Sequence, residues 1–361
     1  MVPVPAAPAA PGFLSPAIGR RQLLRGAAAA AGCALLSSGA HGQAATEAEQ
    51  PDAVTFFRIG TGGAGGTYFP IGRLIASAIS NPPGTRPCDK GGSCGVPGMI
   101  AVAQATQGSV ENVALIAAKK LESGLCQADV AQWAYSGTGL YEGRGAFGGL
   151  RAVASLYQEA VHVVVRREDR IQTINELKGK RVSLGEEGSG TLVDARLILA
   201  AHGVREEDVQ KSHMRTGAAA DALRDGAIDA FFFIAGYPVS AIAQLADRIE
   251  IRLLPIVGPP ATLLTKTSPF FTEIIMPNQV YPGVPGLPTV SVGALWVVSA
   301  DLPAALVTGI ARALFHPSAR RLFDTGHPEA RNIRLETARK GISIPLHPGA
   351  EAFYAEALPA R

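Results

Sequence analysis

The sequence predicts an α/β fold built as two similar lobes, and three observations indicate this. Short β-branched runs alternate with amphipathic helices, which is typical of parallel sheets. Apolar residues make up 47% of the 361 residues and aromatic residues only 6%, a mixture that suits strands buried under helices. A strand, a glycine-rich turn and a helix follow one another twice, near residue 60 and again near residue 185. Because the chain is too long for one core, two lobes are expected.

The elements of the first lobe follow in order. A helix after the first glycine-rich turn carries Pro70 in its first turn, where proline is favoured. Ser109 caps a second helix, and Asp129 opens a third. We predict strands over 54–60, 99–105 and 125–128, and helices over 67–80, 109–121 and from 129 onward.

The second lobe repeats the pattern after a crossing segment. Residues 151–167 are predicted to form two strand-like runs broken at Tyr157-Gln158-Glu159, and 290–299 a late apolar strand, so these two segments would join the lobes. Residues 259–288 are Pro-rich and are predicted to be irregular. We predict strands over 181–185, 227–234 and 252–257, and helices over 192–202, 218–225, 303–315 and 317–325.

The N-terminus predicts export. Residues 1–45 read as a signal peptide of the twin-arginine type, with Arg20 and Arg21 before leucines, an apolar run and small residues. The apolar run is shorter than the ~20 residues that span a bilayer. A lipid anchor at Cys33 is the alternative, but Ala30 stands three positions earlier where Leu is expected. We therefore predict a periplasmic protein.

The charge balance excludes two classes of partner. Residues 1–43 carry three arginines and no acid, so the rest of the chain has 30 basic and 30 acidic residues. A chain with balanced charge has no net positive charge that would attract nucleic acid or a membrane surface.

Catalytic and metal motifs are not found in the sequence. Ser189 lies in Gly-Ser-Gly, but Glu187 and Thr191 flank it where a nucleophile elbow needs glycines. The histidines are scattered, and for those beside Pro or Gly near the C-terminus, His316, His327 and His347, capping or solvated roles are expected. The sequence therefore predicts no enzyme, no cofactor and no metal.

Cys88 and Cys94 flank a short glycine-bearing loop. Export permits a disulfide, and the loop can bring the two Cβ atoms together. The alternative is a metal clip, although no His or further Cys stands nearby in the sequence to complete it. Cys126 lies in an apolar run and is predicted to be a buried free thiol.

The two glycine-rich turns, 60–68 and 185–191, each open a helix. Glycine lets a ligand approach the main chain, and a helix start presents unpaired N–H groups and the positive end of the helix dipole. An anion is bound there without a cationic side chain. Gly60-x-Gly62-x-x-Gly65 also matches a dinucleotide fingerprint, but that motif needs a strand ending in an acid about 20 residues on, where Asn81-Pro82-Pro83-Gly84 stands. A tight turn without a ligand is the third alternative.

Several blocks in one order resemble a known family. Ile59-Gly60-Thr61-Gly62, Gly66-Thr67-Tyr68-Phe69-Pro70, the Cys88–Cys94 loop, Gly188-Ser189-Gly190-Thr191, Gly236-Tyr237-Pro238 and Ile344-Pro345-Leu346-His347 resemble the TAXI family, from about residue 54 to the end. Members are solute-binding subunits of tripartite ATP-independent periplasmic (TRAP) transporters. The twin arginines depart from the family's ordinary signal, and Cys126 stands where an aliphatic residue is expected.

The resemblance implies a periplasmic-binding-protein type II-like fold with a hinge and a ligand cleft between the lobes. Lobe I would comprise residues 54–165 plus 290–361, and lobe II residues 166–289. The implied function is to capture a small organic anion, such as glutamate, glutamine or 2-oxoglutarate, and to deliver it to the TRAP membrane subunits. The protein is expected to be monomeric. Alternatives are a ligand sensor for a membrane kinase and a periplasmic phosphate- or nucleotide-using enzyme.

The candidate ligand-binding residues come from both lobes. The first turn and the second turn would supply N–H groups and hydroxyls, and Gln127 and Asp129 would hold polar groups of the ligand. Asp129 has a helix N-cap as its alternative, and Gly236 with Tyr237 a plain turn before Pro238. The full set is Thr61, Gly62, Ala64, Gly65, Thr67, Tyr68, Gln127, Asp129, Tyr157, Ser189, Gly190, Thr191, Gly236 and Tyr237.

Overall fold

A ten-stranded mixed sheet with helices on both sides forms the centre of the computed structural model, which describes residues 54–358. The α/β prediction is confirmed. The predicted signal segment, its twin arginines and Cys33 lie outside the described residues. Among the described helices, none has the length and apolar character needed to cross a membrane.

The strands, in chain order, are β1 Thr55–Gly60, β2 Ser80–Asn81, β3 Val96–Pro97, β4 Met99–Gln104, β5 Ser123–Gln127, β6 Leu150–Arg166, β7 Arg181–Ser183, β8 Gln210–Ser212, β9 Ala230–Ala235, β10 Ile251–Leu253, β11 Phe271–Met276 and β12 Leu287–Ser299. The large sheet has the order β4-β1-β5-β12-β6-β9-β7-β8, with β10 paired to β6 and β11 to β12.

The α-helices are α1 Tyr68–Ile79, α2 Ser109–Ala117, α3 Ala128–Ser136, α4 Gly190–Ala201, α5 Thr216–Arg224, α6 Ser240–Ala246, α7 Pro259–Thr267, α8 Ala304–Leu314, α9 Pro317–Gly326 and α10 Pro348–Ala357. We call β1, β4 and β5 with α1–α3 and α8–α10 the first half. We call β7–β11 with α4–α7 the second half.

Two long antiparallel strands, β6 and β12, run through both halves. The 17 residues of β6 span roughly 55 Å at the usual rise of a strand. Its early part pairs with the end of β12, and its last residues pair with β9 and β10. The first half therefore joins the second through continuous sheet.

Each half has its own cluster of buried aromatic residues. Phe57 and Trp296 meet edge to face at 6.5 Å between ring centroids in the first half, near the buried Tyr354. Phe231 and Tyr281 lie in the core of the second half.

Two element predictions are wrong. The predicted break at residues 157–159 is absent, because β6 continues and a shift of register opposite β12 takes up the irregularity as a bulge. The segment 259–288 contains α7 and β11. Pro259 and Pro260 occupy the first turn of α7, where proline costs no hydrogen bond.

Three histidines cap helices near the C-terminus. The ring nitrogens of His316, His327 and His347 each accept a hydrogen bond from the backbone N–H two residues on. The capping interpretation of these residues is confirmed.

Cys88 and Cys94 form a disulfide, with 4.8 Å between their Cα atoms. Cys126 is a buried free cysteine. The sequence shows no histidine near these cysteines, but in the folded chain His316 lies within 4.8 Å of the two sulfurs. Both sulfurs are in the disulfide, and Nδ1 of His316 accepts the Ser318 N–H, so this trio is not a metal site here.

Candidate functional site

A cavity of about 340 Å³ lies between the two halves of the molecule. Its wall includes residues that follow the carboxyl ends of the parallel strands β1, β4, β5, β7 and β9. In open α/β sheets this is the edge where ligands bind. The volume is at the small end of ligand pockets in proteins, which suits a small metabolite.

The first glycine-rich turn contributes most of one wall. From the predicted set, Gly62, Ala64, Gly65, Thr67 and Tyr68 line the cavity. α1 has no side-chain cap, so the main-chain donors at its start are not taken by a side chain.

Thr61, predicted to contact the ligand, does not line the cavity. Its side chain is fully buried, and its hydroxyl donates to the carbonyl of Gln104 at 2.7 Å. Thr61 therefore ties β1 to the end of β4, one residue away from the cavity wall.

The second turn lines the opposite wall through Ser189, Gly190 and Thr191. The Ser189 hydroxyl donates to the Glu186 carbonyl at 2.6 Å and accepts from the Leu192 N–H at 3.1 Å, which caps α4. Its hydrogen is thus already used within the turn. The Thr191 hydroxyl accepts from the N–H of Ile234 at 3.2 Å.

Gln127 lines the cavity and Asp129 does not. Asp129 is fully buried in the first turn of α3, and the N-cap of that helix is Gln127, so the N-cap role suggested for Asp129 is wrong. The Gln127 amide donates to Asp194 Oδ2 of the second half at 2.9 Å.

Tyr157, Gly236 and Tyr237 lie outside the cavity wall. A Cβ on Gly236 would stand 2.8 Å from the Tyr157 ring, so these two residues pack together closely. The Gly236 carbonyl accepts from the Thr67 hydroxyl, and the Tyr237 N–H donates to Glu329 Oε1 at 3.2 Å. These residues join the halves beside the cavity.

Helix starts surround the cavity, and the sequence interpretation found only two of them. Besides α1 and α4, the start of α2 lies on the wall through Gly108 and Ser109, and the start of α5 through Arg215 and Thr216. The positive ends of several helix dipoles therefore face one space. The sequence interpretation predicted the helices α2 and α5 but did not place their starts at the site, because neither helix follows a run of glycines.

Glu159 is the main functional candidate that the sequence interpretation missed. It lies on β6, lines the cavity, is 2% exposed and accepts the Tyr68 hydroxyl at 2.9 Å. Burial raises the pKa of the Glu159 carboxyl well above its usual value, the Tyr68 hydrogen bond lowers it, and the nearby carboxyls of Asp129 and Glu329 raise it further. An ionisable residue inside an apolar strand pattern was the available signal, but it was taken for a break.

The charged side chains on the wall are few. Arg215 and Glu186 line it as well, and they form an ion pair at 2.9 Å. Glu159 has only Tyr68 as a side-chain partner among the described residues. The site thus offers main-chain donors for an anion and one buried carboxyl for a hydrogen-bond donor or an ammonium group.

Hydrogen bonds join the halves around the cavity. The Gly188 carbonyl accepts from the Glu111 N–H at 3.0 Å on one side. The Gly65 carbonyl accepts from the Ser240 hydroxyl at 3.0 Å on the other. The structure therefore shows the cleft with its edges in contact.

The model of the NMT1-like family matches residues 59–357. The chain is also similar to solved structures. They include the alkanesulfonate-binding protein SsuA from Xanthomonas axonopodis pv. citri bound to MOPS, at 14% identity over 84% of each chain and a TM-score of 0.46. PhnD1 from Prochlorococcus marinus in complex with methylphosphonate matches at 12% identity over 77% of this chain and 91% of that one, with a TM-score of 0.47. A TctC solute binding protein from Polaromonas matches at 16% identity over 79% and 90%, with a TM-score of 0.42.

Proposed function

The chain belongs to the NMT1-like family, and we propose that it is an exported periplasmic solute-binding protein. In this proposal it captures a small organic anion, such as glutamate, glutamine or 2-oxoglutarate, and delivers it to the membrane subunits of a TRAP-type transporter. The observation that carries the proposal is the set of helix starts from both halves on the wall of one small cavity.

Main-chain N–H groups and helix dipoles supply the attraction for a carboxylate. Their partial positive charges favour an anion within the first turn of each helix. The first turn offers an uncapped helix start, whereas Arg215 is already paired with Glu186. We therefore assign the ligand's carboxylate to the first turn, with the start of α4 facing it.

Glu159 distinguishes among the candidate ligands. An ionised Glu159 accepts an ammonium group, so glutamate and glutamine would satisfy it. The carbonyl of 2-oxoglutarate offers only an acceptor, so that ligand would need a protonated Glu159. Burial raises the pKa of Glu159, but the positive charge of a bound ammonium group lowers it again. We therefore expect amino acids to bind more tightly than the corresponding oxo acids, with Glu159 giving up its proton as they bind.

The proposed mechanism is closure of two lobes on the ligand. Residues 54–165 plus 290–361 would form lobe I and residues 166–289 lobe II, with bending in the strands that connect them. A ligand that contacts both lobes favours the closed form. The transporter would bind that form, and transport would depend on an ion gradient and not on ATP.

A binding screen tests the proposal. The purified full chain is screened by thermal shift and then calorimetry with amino acids, oxo acids, dicarboxylates, alkanesulfonates and alkylphosphonates. A ligand at 100 times its Kd should add about 2.7 kcal/mol to the free energy of unfolding. A result in which no small carboxylate stabilises the protein contradicts the proposal.

A matched pair of variants tests the site. A Cβ at Gly217, on the cavity wall, or at Gly148, outside it, would meet no atom within 4 Å. Gly217→Leu should fill the cavity and abolish binding, while Gly148→Leu should bind normally. Equal affinities of the two variants would place the ligand elsewhere. For the transporter, uptake by vesicles containing the membrane subunits should stop when an ionophore removes the ion gradient.

A further inference from the structure

Two buried carboxyl groups meet where the halves of the molecule touch. Asp129 is on α3 of the first half and Asp194 on α4 of the second, and neither side chain is exposed to solvent. The two carboxyls are close enough that each shifts the pKa of the other. This contact lies beside the cavity, since Gln127, which lines the cavity, also donates to Asp194.

Several buried oxygens at this pair lack hydrogen-bond donors in the described part of the chain. The backbone N–H groups of Asp129 and Val130 lie near the Asp129 carboxyl and lower its pKa. Among the described residues, however, none makes a well-formed hydrogen bond to either oxygen of Asp129, to Asp194 Oδ1 or to Gln127 Oε1. No Lys, Arg or His among them forms an ion pair with either carboxyl. Two ionised carboxylates in such contact would repel each other in a medium that hydrates neither. One proton between them supplies the missing donor and removes one charge.

Other titratable groups around the pair act in the same direction. Glu159 on β6 contributes a further negative charge toward Asp194, and the Cys126 thiol on β5 lies near Asp129. Burial raises the pKa values of both carboxyls of the pair, and the charge of Asp129 raises that of Asp194 further. Among the described residues, the side-chain partner of Glu159 is the neutral Tyr68 hydroxyl of α1.

We propose that Asp129 and Asp194 form a proton-binding site between the two halves, and that the bound proton holds the cleft closed. The proton comes from solvent and forms an O–H···O bond from one carboxyl to the other. When the halves separate, both carboxyls meet water, ionise and release that proton. The inference rests on the proposed opening and closing of the two lobes.

Linkage fixes the sign of the effect. The closed form binds the proton more tightly than the open form, so closure takes up one proton. Closure is fully favoured at a pH below the carboxyl pKa of the open form, and it weakens as pH rises toward the pKa of the closed form. Between those values the ratio of closed to open molecules should fall tenfold per pH unit.

The test measures closure without any ligand. Nitroxide labels are placed at Lys120→Cys and Lys178→Cys, exposed positions on different halves, in a chain that carries Cys33→Ser, while the buried Cys126 stays unlabelled. Distances between the labels are measured by pulsed electron resonance across the pH range. In the otherwise unchanged protein, the population at the short distance should decrease as pH rises.

Asp194→Asn is the decisive variant. Its amide keeps a donor for Asp129 at every pH and an oxygen for Gln127, so the short distance should persist at high pH. Asp129→Asn should behave alike and serves if the first variant misfolds. Asp301→Asn, a change at an exposed acid, is the control and should keep the pH response.

Two results would overturn the inference. One is the same pH response in Asp194→Asn as in the control. The other is closure that follows added Na⁺ or Ca²⁺ at constant pH, because the unpaired oxygens would then hold a cation and not a proton. Infrared spectroscopy in a Glu159→Gln background should also show a protonated carboxyl at neutral pH that disappears when Asp194→Asn is added. Since no ligand is added, these readouts do not depend on the ligand class assigned above.

Discussion

The two glycine-rich turns look alike in sequence but differ in what they do with their hydrogen-bond donors. In the first turn, the Thr67 hydroxyl reaches across to the Gly236 carbonyl and leaves the start of α1 without a side-chain cap. In the second turn, the Ser189 hydroxyl stays within the turn and caps α4. The first turn is therefore suited to receive a ligand. In the second turn the helix is already capped by Ser189, and the turn packs against the first half.

The halves pack tightly at Gly190. A Cβ there would overlap the Gln127 side-chain amide, with its Cδ 2.5 Å away, and would lie 2.9 Å from the Ser109 hydroxyl oxygen. Gly190→Ala should therefore destabilise the closed form relative to the open form by about 3 kcal/mol. Calorimetry should then show a roughly 100-fold loss of ligand affinity.

Gly148→Ala is the matched control, because Gly148 lies outside the cavity and its Cβ would meet no atom within 4 Å. It should change the affinity less than about threefold by the same conversion. If both variants bind equally well, the second turn does not limit closure and the comparison between the turns fails.

In the proposed site, Glu159 would select among ligands. Glu159→Gln removes the charge that would hold an ammonium group but keeps an acceptor for Tyr68. Binding of glutamate or glutamine should weaken by about 2 kcal/mol, while binding of 2-oxoglutarate should not weaken. Calorimetry with both ligand types checks this, and an equal loss for both would remove Glu159 from the ammonium site.

Thr67 links the first turn to the second half. Thr67→Val leaves the buried Gly236 carbonyl without this donor, so the closed form should lose about 1 kcal/mol and ligand affinity should fall roughly fivefold. Thr67→Ser retains the hydroxyl and should restore the affinity. An unaffected Thr67→Val variant would show that the contact across the cleft is not needed for closure.

Ser189 should affect folding and not binding. Ser189→Ala removes the cap of α4 and should lower the free energy of unfolding by about 1 kcal/mol in urea denaturation. Ligand affinity should stay unchanged, because the hydroxyl hydrogen is already donated to Glu186. A large loss of affinity with normal stability would mean that the second turn contacts the ligand through this side chain.

The sequence predicted both turns and most strands because glycine runs and apolar periodicity are local signals. It could not assign the direction of each side chain within a turn, so Thr61 was grouped with Gly62 although it faces Gln104. Glu159 was missed because its partner Tyr68 is 91 residues away in the sequence. No local sequence signal marks Asp194, since its proximity to Asp129 exists only in the folded chain.

A crystal structure of the protein with its tightest-binding small acid tests the central claim most directly. The account predicts that the ligand's carboxylate lies against the main-chain N–H groups between Gly62 and Tyr68, with the start of α4 facing it across the cavity. A carboxylate bound by side-chain cations on the outer surface, with this cavity unfilled, would contradict it.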